Sequence, residues 1–521
     1  MADYLQLLEL EIEDPDRPNA DPVRYGFTDR AEDFEIQSGD GSPARRFGPG
    51  LFRMDMPGRK ADFFSGTSSA GGSASAALAL DAFPVLDLRR RGVRLQRIRS
   101  RMWWWPRGGT LADAVQLWRG ELRAPVIDFG TGTFSCRFEA GTRERDVAFP
   151  PGFIGDQGRF DAAPEASRTQ PMQVVYGQCS EVPVYAINDD SGVGDVHLLV
   201  AAHAIQAQNI TIRTDPATVV GTYGRGVAYD ARGGVYSYVV VPAASWPSPG
   251  ATVYAESVLG YESPQGNLVE GLGDVLVHLT HTYGGERFFD LDRPRIFGAR
   301  VELNRFRVGM YFNSPDPSIS IMRVLQQRIA SQFPVVFGFV NGLFGWDYVG
   351  VPRRGGPPVK TLVYGQDAFS RGVLSETPLD EVRARYEMRY RQLGFAAGED
   401  SVYRVDETNS AACQGALARW GVETVQRMTA PDIFSADGAF MLIEDEISRR
   451  SKVRWGASYG GLGPEWMGLP MFARVHVTDP GPLDRRGVPM LQWAAEPFLI
   501  TGLTPRRDGR VNVDLIAENG Y

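Results

Sequence analysis

Three tryptophans in a row, Trp103-Trp104-Trp105, stand directly before Pro106 in a chain of 521 residues. Side chains alternate across a strand, so three consecutive ones cannot all enter one core. At least one must face a second layer, a loop or another subunit. Tryptophan is enriched in interface hot spots, so Trp103, Trp104 and Trp105 are expected at an intersubunit contact. A carbohydrate platform and packing inside the fold are the alternatives.

At about 150 residues per domain, the length predicts roughly three or four domains. A hydrophobic content of 43% can fill several cores, and 23% charged residues is typical of a folded chain. The 59 glycines and 35 prolines follow no strict period, which excludes a collagen-like chain and points to many turns.

Strand patterns dominate. Leu8, Leu10 and Ile12 alternate with Glu9, Glu11 and Glu13, as in a half-buried strand. Further strands are predicted through Phe134, Cys136 and Phe138, through Val93 and Leu95, through Ile210 and Ile212, and over Val235 to Val241, closed by Pro242. The small, polar run from Ser65 to Ala77 reads as an exposed loop. Helical spacing begins later. Leu268, Leu272, Leu276 and Leu279 share a helix face, as do Met322, Leu325, Ile329 and Phe333 after Pro317. Asn341-Gly342 between apolar runs is a hairpin turn. The start and stop signals predict a helix over 378–393, with Pro378, Asp380 and Glu381 at its beginning and Gly394 at its end, and a further helix covers about 409 to 427. Val475, Val477, Phe498 to Leu503, and Val511, Val513 and Leu515 after the Asp508-Gly509 turn return to strands.

The expected fold is therefore mainly β with α+β parts: β-barrel-like domains plus three or four helices in the second half. The expected blocks are 1–155, a β-rich N-terminal domain; 156–265, also β-rich; 266–410, α+β; and 411–521, a helix followed by strands.

Charge narrows the function. Arg and Lys total 55 against 63 Asp and Glu, for a net charge of −8. A protein that grips nucleic acid would carry a basic surface. Only Lys60, Lys360 and Lys452 are lysine; the other 52 cations are arginine, a residue whose planar fork suits interfaces. Cys136, Cys179 and Cys413 are odd in number and far apart, so no disulfide framework is expected. The start, Met1-Ala-Asp-Tyr-Leu, has no secretory pattern, and no apolar run reaches 18 residues. Folding in a reducing cytosol, without stable membrane insertion, is the expectation.

Catalytic and metal motifs are sparse. There is no phosphate-binding loop and no dinucleotide fingerprint. His278 and His281 stand three apart on a predicted helix and could share a metal, but ordinary helix-surface histidines are expected. Glu465, in Gly-Pro-Glu-Trp-Met-Gly, would suit a sugar cleft, yet no partner carboxylate is evident and a turn with a packing tryptophan explains it equally well. No catalytic residue, metal or cofactor is assigned.

From Val175 onwards the order of local patterns resembles the hub, or tail-tip, proteins of long-tailed bacteriophages and gene-transfer agents. Val175-Tyr176-Gly177 is followed by Val182-Pro183-Val184, then by the helix pattern Gly271 to Gly285 and Phe289-Asp290. Tyr311, the helix with Met322, Leu325 and Ile329, and the hairpin from Gly338 to Tyr348 come next. Val363-Tyr364-Gly365, the helix Ala411 to Met428, and strands over Met471 to Thr478 and Phe498 to Ile516 complete the succession. The resemblance covers roughly residues 170 to 521, and more loosely Val23-Arg24-Tyr25. It implies a structural, non-enzymatic protein in the tail tip of a virion, assembled in the host cytoplasm. It further implies a homotrimeric ring joining the tail tube or a distal tail protein to a tip or fibre protein, around a channel through which DNA passes unheld. A receptor-binding or fibre-attachment protein and a polysaccharide-degrading tail enzyme are the competing readings.

Overall fold

The computed structural model describes residues 4–13, 21–65, 68–70, 73–139, 147–156, 158–188, 194–214, 218–248, 252–284, 291–314, 316, 319–352, 357–390, 401–481 and 492–520. Pro317, Phe289-Asp290 and Gly394 lie outside the described residues.

The chain is mainly β and multidomain. A nine-stranded sheet takes its strands in the order Phe34–Ile36, Arg45–Pro49, Val23–Thr28, Tyr4–Ile12, Arg99–Pro106, Val115–Asp128, Thr133–Glu139, Ser73–Ala79 and Leu51–Asp55. Strand Tyr4–Ile12 is buried on both faces: Leu8 and Leu10 join one apolar cluster with Phe134 and Phe138, while Leu5 and Leu7 join another. Its Glu9 is buried too, and tolerates it because Arg45 Nη1 donates to both carboxylate oxygens at 3.0 and 2.9 Å.

Six further strands close a barrel. Val174–Ala186, Val196–Ala201, Val235–Val241, Val219–Tyr229, Asn209–Arg213 and Val253–Leu259 pair in that order, and the last pairs back with the first. β-branched residues pointing inwards fill it, among them Val182, Val196, Ile210, Ile212, Val239 and Val253. The first part of strand Val174–Ala186 runs on past the barrel to pair with Gly309–Phe312. The two segments expected as a strand pair, Val175 to Gly177 and Val182 to Val184, are one continuous strand.

The C-terminal sheet orders Lys360–Val363, Arg474–Asp479, Trp493–Pro505, Val511–Ala517, Trp455–Leu462 and Ser370–Glu376. Strand Arg59–Ala61, from far upstream, pairs with Trp493–Pro505 through Lys60 opposite Gly502 and Arg59 opposite Leu503. Hairpin Val335–Val340 with Leu343–Tyr348 turns at Asn341 and Gly342, whose φ values of 52° and 78° are those of a tight two-residue turn.

Several expectations are corrected. The segment predicted as a helix over 378–393 holds a one-turn 3₁₀ helix, Leu379–Glu381, and then strand Arg385–Tyr390, which pairs with Ser401–Val405 and Val425–Ala430. Val382, Ala384, Tyr386 and Met388 are buried at every second position, so the period is that of a strand. The stretch read as a loop contains strand Ser73–Ala79, whose small side chains pack between Thr133–Glu139 and Leu51–Asp55. Leu95 lies in a 3₁₀ turn, Leu95–Arg97, and not in a strand.

Helix Leu272–His278 buries Leu272 and Leu276 and continues as a π-helical turn, Leu279–Gly284. Helix Ile321–Arg323 likewise passes into Val324–Ile329, burying Leu325 and Ile329, with Ser320 as its cap. Helix Ala411–Trp420 stops at Gly421, left-handed at φ 64°. Four of the described helices had no expectation: the short Val85–Arg90 and Glu165–Arg168, and the longer Arg293–Leu303 and Ala436–Arg450. The last has Ser435 Oγ accepting from Gly438 N at 3.1 Å, Asp437 in its first turn, and Arg449 and Arg450 in its last.

Candidate functional site

A grouping of ionisable and aromatic side chains lies beside the barrel. Strand Val174–Ala186 delivers Tyr176, helix Leu272–His278 delivers His278, and the turns after two barrel strands deliver His203 and Tyr261. Gly177 at φ 59° makes the close approach possible, since a Cβ there would sit 1.7 Å from the Val308 carbonyl oxygen. Tyr176 Oη lies 2.6 Å from His278 Nδ1, and the Tyr261 ring covers the same imidazole at 3.8 Å between centroids. His203 Nε2 accepts from the Val175 N–H at 2.9 Å. Its proton is therefore on Nδ1, which donates to the Ala204 carbonyl at 3.0 Å.

Burial fixes the charge states. It pulls His203 down to about 4, and it pulls His278 down to about 3 with help from repulsion by His203 and His281. The Tyr176 and Tyr283 hydroxyls are pushed up, also chiefly by burial. Near neutral pH the cluster is uncharged. A cavity of about 920 Å³ opens next to it, walled by Tyr229, Tyr261, Tyr283 and His278, with Arg159, Asp230 and Glu262 among its polar groups.

The residues singled out by sequence fall elsewhere. Trp103 and Trp105 pack with Leu5, Leu7 and Phe47, while Trp104 faces the other way into a cluster with Leu117, Val336 and Val349. All three are at most 5% exposed. The strand is sandwiched between two layers of its own chain, and within this chain all three rings pack internally. His281 is exposed, whereas His278 is engaged by Tyr176. Among the described residues no group of three or more His, Cys, Asp and Glu side chains could hold a metal. Glu465 sits in a 3₁₀ turn, Pro464–Gly468, and accepts from Lys360 Nζ at 2.8 Å beside the buried Trp466. Cys136, Cys179 and Cys413 are buried free thiols, and burial pushes each of them up. Tyr176 was visible as part of a sequence pattern; His203 was not, because nothing local marks it.

A second feature is an open edge. Strand Ser370–Glu376 pairs on one side with Trp455–Leu462 and ends the sheet path. All seven of its residues are exposed, Val373 by 73% and Leu374 by 41%.

No family model matches the chain, and no curated protein does. Solved structures align over most of its length. The tail protein from Neisseria meningitidis MC58 is 10% identical over 91% of this chain and 94% of its own, with a TM-score of 0.36. The 43 kDa tail protein of prophage MuSo2 from Shewanella oneidensis is 8% identical over 92% and 94%, with a TM-score of 0.35. Prophage tail protein gp18 from Listeria monocytogenes EGD-e is 8% identical over 93% and 94%, with a TM-score of 0.37. These three neighbours are tail proteins. At these scores the likeness is one of broad arrangement, and the backbones do not superpose closely.

Proposed function

We propose that the chain is a structural subunit of a phage-type tail, a hub that closes into a ring at the tip. The observation that carries the reading is the open strand Ser370–Glu376, with Val373 and Leu374 exposed. Exposed edges invite pairing with another chain. A head-to-tail contact that closes makes a ring, and one that does not close makes a filament. The order of patterns from Val175 to Ile516 supports the tail-tip assignment, with a homotrimer, the tube end and a tip or fibre protein as partners. A net charge of −8 suits a channel through which DNA slides without being held.

Native mass spectrometry and electron microscopy of the purified chain test this. The wild type should form closed trimers. Val373→Pro, at the strand's unpaired bulge, should give monomers with an unchanged melting temperature. Loss of the gene should yield tailless or untipped particles. Intact tails that merely fail to adsorb would instead identify a receptor-binding protein, and monomeric wild type with hydrolase activity an enzyme.

A further inference from the structure

We propose that the cavity beside the barrel binds a neutral saccharide. Its volume of about 920 Å³ lies in the range of ligand pockets, roughly 300–1,000 Å³. Tyr229 stands 73% exposed at its wall, and Tyr261 and Tyr283 line it further in. A tyrosine face presents a broad apolar surface with a polar tip, which matches the apolar C–H face and hydroxyl rim of a pyranose ring.

The polar groups choose the ligand's charge. Arg159 Nε is buried and has no hydrogen-bond partner among the described residues. Asp230 Oδ2 lies 3.8 Å from it, beyond hydrogen-bond length. Asp230 is held in place by the Arg232 and Gly234 N–H groups, which donate to its other oxygen at 2.9 and 2.7 Å. Arg159 and Asp230 form an ion pair closed off behind the cavity wall, and its charges cancel. A phosphate or sulfate would find Arg159 already paired with Asp230, and Glu262 already paired with Arg225 Nη2 at 3.2 Å. His203 and His278, neutral by burial, add no positive charge to favour an anion.

This inference is independent of the hub reading, because ring formation and ligand binding are measured separately. Saturation-transfer NMR and calorimetry on the full chain would use methyl β-glucoside, N-acetylglucosamine, cellobiose and maltose, with inorganic phosphate as the anionic probe. At least one neutral sugar should bind saturably with a millimolar dissociation constant. Tyr229→Ala, at an exposed position, should weaken binding at least tenfold while the melting temperature stays put. Failure of all four sugars to saturate at 20 mM, roughly the weak limit for a real site, would overturn the proposal. So would phosphate binding in their place, or sugar binding that Tyr229→Ala leaves intact.

Discussion

Arg295 lays its guanidinium edge along the Asp347 carboxylate, Nε to Oδ1 at 2.8 Å and Nη2 to Oδ2 at 2.7 Å, with both side chains under 5% exposed. The third nitrogen, Nη1, donates to the Gly338 carbonyl at 3.0 Å. One side chain thereby ties helix Arg293–Leu303 to both strands of the hairpin that turns at Asn341-Gly342. Removing either partner leaves a buried charge uncompensated. Arg295→Met should cost about 3–5 kcal/mol in denaturant unfolding, and the double change Arg295→Met with Asp347→Leu should cost less than that single. A double variant as unstable as the sum of the singles would show that the pair is not coupled.

Acid should destabilise the protein through the buried His203 and the half-buried His278. Each has a folded value below that of the unfolded chain, about 6.5, so the unfolded state binds protons first as pH falls. Their contribution is complete above pH 6.5 and is lost as pH drops towards about 4 for His203 and about 3 for His278. For His203 alone the loss is roughly 3 kcal/mol. Urea midpoints measured between pH 7 and 4 should fall, and His203→Gln should flatten that fall. An unaltered slope in the variant would assign the acid sensitivity to other groups.

Trp104 is 1% exposed and faces the layer that contains Val336 and Val349. Trp104→Ala should therefore lower the stability of the isolated chain by about 3–5 kcal/mol, as other large-to-small core changes do. Thermal unfolding of the monomeric Val373→Pro background separates this from any effect on assembly. A Trp104→Ala chain that melts normally but no longer associates would restore the interface role.

The three cysteines should be silent towards reagents. A thiol titration of the native protein should read near zero and rise to three equivalents in denaturant, because thiolate formation at each buried site is disfavoured. Replacing all three with serine should cost about 1–3 kcal/mol yet leave the fold intact. Stoichiometric zinc or iron in the purified protein would contradict this.

Sequence carried the fold best where a local rule had one solution. Asn341-Gly342 can turn a hairpin because both residues accept positive φ, and Val235 to Val241 is a β-branched run stopped by proline. It misled where signals of two periods overlapped. Pro378, Asp380 and Glu381 do start a helical turn, but it ends after three residues, and Arg383, Arg385 and Arg389 then mark the wetter face of a strand. The cavity was hidden for a different reason. Tyr176 and His278 are 102 residues apart, and the distance between them is set by the packing of helix Leu272–His278 into one core with Tyr176 and Met310, which no local pattern encodes.

Strand Arg59–Ala61 has a consequence for synthesis. Its partner strand, Trp493–Pro505, is translated long after it, and the Gln6 side chain donates to the Arg507 carbonyl 501 residues away. Arg59 is buried with its guanidinium donating to the carbonyls of Met467 and Leu469. A nascent chain cannot complete the surroundings of Arg59 until Leu503 has been added. A product that stops before Trp493 therefore keeps a cation without its full set of neighbours and a sheet missing its middle. An assembling particle would draw only on subunits that carry that late strand.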